Sequence, residues 1–400
     1  MDFRFSPEEE AFRREVQEFL DREWPRERCL GSLPGGEKMP VPGPLAPGYM
    51  PSAEAERKLG AKGWLSLSWP TEYGGGGKPL VYQTIVDEEL AYRNIPGSES
   101  IGRTIVAPTL IALGSEDLKR EFLPRLARGE IDFCLGYTEP EAGSDLASLT
   151  TRAVVEGDDY VINGSKVYTS GADISHYCWL LATTDPGVAK HKGLSLFIVP
   201  MDAPGISVRP LLNLMNLGWF NEVVLEDVLV SRRGLVGMKN EGWHIVTAAL
   251  SSERLALYHC RSQFRVFESL LEYAKRVQRD GQPLSQQPLL RQKLAQLATD
   301  FQVARLLTYR AAWLRGTGQA LSYESAMVKL FNTELAQRLY QVAMEILGLH
   351  GGLMPDSART ILAGMVSHNY LSVVQDTIGA GTSEVQRDII ARRGLDLPRG

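Results

Sequence analysis

Residues 151–170 read TRAVVEGDDYVINGSKVYTS, and this stretch decides the fold class. Valine, isoleucine and tyrosine crowd it, and no helical period runs through it. Gly157-Asp158-Asp159 breaks it, and Asn163-Gly164 predicts a second tight turn of the hairpin kind. The same texture continues through YCWLLATTD, GLSLFIVPMD, ISVRPL and NEVVLEDVLV, with no helical segment between them. Short strands at even spacing predict an antiparallel sandwich or barrel over about residues 131–237.

The pattern on either side is helical. Ser6-Pro7-Glu8-Glu9 reads as a capping box with Pro at the first helical position, opening a helix that runs to about Glu23. Residues 31–52 carry so many Gly and Pro that no regular element is expected there, only a lid, a binding loop or a spacer. Helical patterns return in PSAEAERKLGAKGW, VYQTIVDEELAYRN and SEDLKREFLPRLARGE. Beyond residue 237, long helices are expected at about 242–278, 286–316, 320–348, 358–376 and 383–393. The reading is an α+β multidomain chain: an N-terminal helical domain (1–130), a central antiparallel β domain (131–237) and a C-terminal four-helix bundle (238–400).

Composition narrows the function. The chain has 400 residues, 44% hydrophobic and 23% charged, in the range of soluble globular proteins. A net charge of −5 without a Lys/Arg block argues against nucleic acid or an anionic membrane as partner. The opening MDFRFSPEEEAFRREVQEFL has no apolar core of a secretory signal, and no stretch is long and apolar enough to span a bilayer. Cys29, Cys134, Cys178 and Cys260 form no CxxC pair, which fits reduced thiols in a cytoplasmic protein. The six histidines have no metal-ligand spacing, so no metal is expected.

Four stretches could carry chemistry. In CLGYTEPEAGSDL (134–146), Gly143 and Ser144 can offer N–H groups and a hydroxyl to an anion, and Tyr137 and Thr138 can meet a ring edge; a solvated turn is the plain alternative. In DYVINGSKVYTSGADIS (159–175), strand alternation puts Tyr168 and Ser170 on one face, able to stack on and bond a planar heterocycle or to form an ordinary half-exposed strand. In TAALSSERLALYH (247–259), Glu253 falls on the helical stripe of Val246, Ala249, Leu250 and Leu257. A carboxylate there must be paired or have a raised pKa, as a structural ion pair or as a general base. The fourth, IGAGTSEVQRDIIARR (378–393), is a Gly-rich turn before a helix, a place for backbone to approach an anionic ligand or a simple connection.

Together these stretches resemble the acyl-CoA dehydrogenase family of flavoproteins over nearly the whole chain. The resemblance rests on the α–β–α order, on WPTEYGG (69–75), YTEPEAGSD (137–145), INGSKVYTSG (162–171) and FNEVVLEDVLV (220–230), and on GAGTSEVQRDIIARR (379–393). It implies FAD held between the β domain and the bundle, an acyl-CoA substrate and electron-transfer flavoprotein as electron acceptor. It also implies a tetramer, with FAD reaching a neighbouring subunit. By the same resemblance Tyr137, Thr138, Tyr168 and Ser170 contact the flavin ring, Tyr168 standing where the family usually has Trp. Gly143 and Ser144 match the loop near the cofactor pyrophosphate and the substrate entrance, and Thr382 and Glu384 match positions that hold FAD phosphate. Arg254 and Gly381 join Ser144 on the substrate side. Val277, flanked by Arg276 and Arg279, stands where the family's cross-subunit Arg is expected.

Many members of that family carry their catalytic Glu just before the Gly-Thr of the final turn, where this chain has Ala380. Members resembling isovaleryl-CoA and long-chain enzymes carry it on the first bundle helix, in a Glu-Arg-apolar pattern that Glu253-Arg254-Leu255 matches. The resemblance thus implies Glu253 as α-proton base, flavin N5 as hydride acceptor, and the Ala380 backbone N–H as a donor to the thioester oxygen. Three alternatives stay open: a flavin oxygenase on the same fold, a supporting subunit of a hetero-oligomer, and a dehydrogenase for carrier-protein thioesters. The empty side of Ala380 favours branched or bulky acyl groups.

Overall fold

In a computed structural model, the described residues are 4–24, 30–32, 38–40, 53–95, 100–256, 260–319, 321–355 and 357–398. The helices are α1 (Pro7–Glu23), α2 (Ala53–Ala61), α3 (Leu80–Arg93), α4 (Ala107–Leu113), α5 (Glu116–Ala127) and α6 (Gly242–Ala256). They continue as α7 (Cys260–Arg276), α8 (Pro288–Gly316), α9 (Glu324–Leu347), α10 (Met365–Ser372) and α11 (Ser383–Ile389). The strands are β1 (Leu30–Ser32), β2 (Lys38–Pro40), β3 (Phe133–Gly136), β4 (Arg152–Glu156), β5 (Asp159–Ser170) and β6 (Tyr177–Thr183). They are followed by β7 (Leu194–Pro200), β8 (Ile206–Leu211), β9 (Phe220–Ser231), β10 (Leu235–Val236), β11 (Gln278–Arg279) and β12 (Gln282–Pro283). The chain divides into two compact units: residues 1–48, 79–98 and 254–400 form one, and 49–78 and 99–253 the other.

The first unit is helical. The capping box at its start is made as expected, with Glu9 N donating to Ser6 Oγ and Ser6 N to the Glu9 carboxylate at 2.7 Å. Its core joins α7, α8, α9 and α10 through Phe267, Leu270, Leu294, Phe301, Leu339, Tyr340 and Met365. Beside that core, Glu88 and Glu89 of α3 are buried and answered by four arginines. Arg305 and Arg261 reach Glu88 at 3.0 and 3.1 Å, Arg13 reaches Glu89 at 2.7 Å, and Arg93 reaches Glu89 at 2.6 Å.

Within this unit the expected helix over 358–376 is broken. Leu362, Ala363 and Gly364 are all left-handed (φ +51, +56 and +67), and α10 starts only after them. A Cβ on Gly364 would lie 2.5 Å from Pro355 backbone, so packing against that segment holds the chain in a conformation a helix cannot continue. β1 and β2 also form a short antiparallel pair inside the Gly/Pro-rich stretch, where no regular element was expected; most of 31–52 lies outside the described residues.

The second unit carries the sheet, eight strands in the order β10-β7-β6-β4-β5-β9-β8 with β3 also on β6. Most pairs are antiparallel, as the strand spacing predicts, but β3 and β4 both run parallel to β6. Ile162, Leu180, Phe197, Val223 and Val228 fill its core. Asn163-Gly164 is not a hairpin turn. It lies inside β5, at an irregularity where pairing with β9 slips between Ile162 and Gly164. A Cβ on Gly164 would stand 2.3 Å from Thr151 Oγ1, so close approach of β4, not a chain reversal, selects this glycine. Asn163 bridges to Asp227 instead, with Nδ2 donating to the carboxylate at 3.0 Å and Asp227 N to Oδ1 at 2.9 Å.

Candidate active site

The sheet unit gathers the first set of candidate residues on one loop and one strand end. β3 runs straight into Tyr137 and Thr138. The Thr138 carbonyl accepts from Val167 N at 2.9 Å and the Tyr137 carbonyl from Lys166 Nζ at 3.2 Å, so loop and β5 are stitched together. Glu139 and Ala142 then close a tight turn through two reciprocal backbone bonds. Gly143 and Ser144 sit exposed beyond it, and Asp145 is tied to Lys190 at 2.6 Å.

The loop is fixed from below by an ion pair the sequence reading did not name. Glu139 and Lys166 are both buried and meet at 2.8 Å. The same carboxylate accepts from Thr150 N, Thr150 Oγ1 and Thr151 N at 2.6–3.0 Å. Burial alone would raise its pKa, but Lys166 and these donors hold it at about 2. The signal was present in the alternation: Lys166 shares its parity with buried Tyr160 and Ile162.

Tyr168 departs from simple alternation. It has φ +56 and stands at a second irregularity, between Lys166 and Thr169. That is why Lys166 and Thr169, three residues apart, are both buried, while Tyr168 is 64% exposed. Its ring meets Phe220 edge-on at 6.2 Å, and Phe220 is the register partner of Ser170. An exposed Tyr168 against a half-buried Phe220, with Ser170 opposite Phe220 in the register, thus stands at the end of β5.

The helical unit gathers the second set around the turn at 378–382. Ala380 and Gly381 are both left-handed (φ +53 and +91). For alanine that conformation costs about 1–2 kcal/mol. The turn is held by side chains from three helices. Arg254 Nε donates to the Ala380 carbonyl at 3.2 Å, and Lys329 Nζ to the Gly381 carbonyl at 2.9 Å. Gln386 Nε2 donates to both, at 3.1 and 2.9 Å. Among the described residues nothing accepts from the Ala380 N–H. A Cβ on Gly381 would lie 2.6 Å from Gln386 Nε2, so only glycine fits beneath the clamp.

Thr382 caps α11 by accepting from Val385 N, and with Ser383, Glu384 and Arg387 it lines a pocket of about 500 Å³ against Glu334, Gln337 and Arg338 of α9. Bonds to its own N–H and to the Thr382 hydroxyl keep the exposed Glu384 carboxyl low. Ser383 Oγ, of a pocket-lining residue, and Gln386 Oε1, on the same helix, are buried without a hydrogen-bond partner among the described residues. Burial lifts Asp376, in the turn before the clamp, to about 7 against the pull of Lys329. Glu253 lies in the last turn of α6, where Val246 and Ala249 are fully buried as the wheel predicts. Its side chain and Leu257 lie outside the described residues. At the position expected for a cross-subunit arginine, Arg276 pairs with Glu272 and Arg279 donates to the Ile346 carbonyl.

Three family models match the chain in order: the acyl-CoA dehydrogenase N-terminal domain over residues 40–130, the middle domain over 134–228 and the C-terminal domain over 240–395. The acyl-CoA dehydrogenase FadE26 of Mycobacterium tuberculosis is 36% identical over 100% of this chain and 99% of its own length. The chain belongs to the acyl-CoA dehydrogenase family.

Among solved structures, the Tcur3481-Tcur3483 steroid ACAD is 33% identical with a TM-score of 0.86 over 100% of both chains. The ChsE4-ChsE5 complex from Mycobacterium tuberculosis is 34% identical with a TM-score of 0.84, again over 100% of both. Membership makes the chain an oxidoreductase and a flavoprotein that uses FAD. The residues present fit that cofactor. The sheet unit offers an exposed tyrosine, Tyr168, packed edge-on against Phe220 at the strand end that carries Ser170, suited to a planar ring. The helical unit offers a roomy polar pocket lined in part by Ser383, whose buried hydroxyl is still to be satisfied. No described helix is long and apolar enough to cross a membrane.

Proposed function

We propose that this acyl-CoA dehydrogenase family member introduces an α,β double bond into an acyl-CoA thioester, with Glu253 as the base that takes the α-proton. The observation that carries this reading is the bond from Arg254 to the Ala380 carbonyl. Arg254 directly follows Glu253, and the turn it grips has no carboxylate of its own. The base is therefore assigned to the helix and the oxygen-stabilising donor to the turn.

Bound FAD supplies the acceptor for the β-hydrogen, taken as hydride at flavin N5. The chain's own residues do the rest. Tyr137, Thr138, Tyr168 and Ser170 contact the flavin ring. Gly143 and Ser144 border the pyrophosphate and the thioester entrance, and Thr382 and Glu384 border FAD phosphate. Charge develops on the thioester oxygen as the α-proton leaves, and the Ala380 N–H donates a hydrogen bond to that oxygen. Gly381 and Arg254 line the substrate side, and Glu253 acts as the general base. The three-part division at about residues 130 and 237 belongs to the same reading.

Relatives named as a steroid ACAD and as a two-chain complex support a bulky acyl group and pairing with a related subunit. A cytoplasmic protein of lipid breakdown, in a dimer or tetramer that passes electrons to electron-transfer flavoprotein, completes the proposal. The test is purified protein against an acyl-CoA panel with an artificial electron acceptor, following flavin bleaching. Glu253→Gln should stay yellow and lose at least about 100-fold in turnover. Undiminished activity in that variant would overturn the assignment, and rapid oxygen consumption by the reduced protein would favour an oxygenase.

A further inference from the structure

Lys329 is the most deeply buried cation of the helical unit that faces backbone at the candidate site. It lies on α9, fully enclosed, on the same helical face as buried Ser325, Ala326, Asn332 and Thr333. An ammonium taken out of water is retained only where strong acceptors await it. Its Nζ donates to the Gly381 carbonyl at 2.9 Å.

That bond is one of four converging on two successive carbonyls. Arg254 holds the first, and Gln386 holds both. A connection between helices at the surface needs no such arrangement, because water can serve its carbonyls. Here two cations and an amide fix two neighbouring peptide planes in a left-handed conformation that alanine does not choose by itself. With both carbonyl oxygens drawn to the clamp, the turn's amide N–H groups are held in one orientation. The positive charge behind Gly381 also favours negative charge developing nearby.

We infer that Lys329 is a positioning residue for the reaction: its ammonium, acting through the Gly381 carbonyl, holds the Ala380 amide in the orientation that serves the thioester oxygen. The inference rests on the dehydrogenase reading for its chemistry, though not for the geometry of the clamp. Lys329 reaches the turn at this carbonyl, and its effect passes through the turn. Removing the ammonium loosens the turn and slows proton abstraction while leaving substrate binding nearly intact.

The experiment uses FAD-loaded protein carrying Lys329→Met, Lys329→Gln or Lys329→Arg. Amide hydrogen exchange is read on the segment spanning 376–386, and kcat and KM are read with the best substrate of the acyl-CoA panel. In the Met variant, exchange in that segment should rise about tenfold or more with the rest of α9 unchanged. Its kcat should fall about tenfold or more at nearly constant KM, and Arg should restore part of both. Unchanged exchange in the segment overturns the proposal. So does acceleration spread evenly through the helical core, which would make Lys329 a packing element only. If the Met variant does not accumulate as holoenzyme, Lys329→Gln, which keeps a donor without charge, is judged by the same readouts. If wild-type protein turns over no acyl-CoA, the dehydrogenase reading falls, and the exchange result alone decides whether the clamp exists.

Discussion

Glu139 and Lys166 form a buried ion pair at 2.8 Å beneath the loop that carries Tyr137, Thr138, Gly143 and Ser144. Lys166→Met leaves a buried carboxylate without its cation and should cost about 3–5 kcal/mol of stability. Urea unfolding of the variant checks this. The pair also predicts acid sensitivity. The folded carboxyl, at about 2, lies below its unfolded value, so its contribution is complete above the ordinary glutamate range and is lost as pH falls towards 2. Lys166→Met should flatten that part of the stability profile.

Glu56 predicts the opposite slope. Burial, with Asp132 adding to it and Arg103 opposing, raises its carboxyl to about 8. The folded state then binds more protons than the unfolded one between the ordinary glutamate range and 8, so stability declines as pH rises through that window. Glu56→Gln removes the titration. Its melting temperature should exceed that of wild type at pH 8, and the two should converge near pH 5. Parallel melting curves at both pH values would contradict this.

Gly381→Ala combines a left-handed φ of +91 with a Cβ 2.6 Å from Gln386 Nε2. It should cost about 1–3 kcal/mol and reduce turnover more than FAD content. Equilibrium unfolding and the flavin spectrum of the purified variant separate the two effects.

Glu88 of α3 accepts hydrogen bonds from Arg305 and Tyr309 and pairs with Arg261 at 3.1 Å. Burial would raise its carboxyl, yet Arg261 and Arg305 bring it below the usual range. Glu88→Gln leaves those arginines facing a neutral amide and should lower stability by about 3–5 kcal/mol. A thermal melt indistinguishable from wild type would refute this.

Much of this was legible in the sequence because local chemistry and final structure agree. Ser6 and Glu9 make the capping box their spacing announces, and the strands of 152–231 follow their β-branched residues. What was hidden depends on partners distant in sequence. Leu362 and Ala363 carry no preference for positive φ, so nothing local warns that a helix must stop there. Asn163-Gly164 has the composition of a turn, yet contact with Thr151 explains the glycine and pairing with Asp227 the asparagine. At the site, Ala380 advertises its turn through flanking glycines, whereas Gln386 gives no sign of reaching back five and six residues to two carbonyls. Lys329 gave less sign than Glu253, because its helical face carries Ser325, Asn332 and Thr333 beside Ala326, and no apolar stripe marks it.

One amide nitrogen, that of Gln386, locks both Ala380 and Gly381 to the start of the last helix. Asparagine would be a methylene too short to span the gap, glutamate would set like charge against two oxygens, and leucine would leave each with one donor, Arg254 or Lys329. Libraries built to retune acyl-chain preference should hold position 386 constant, since almost any exchange there resets the turn before it reshapes the cavity.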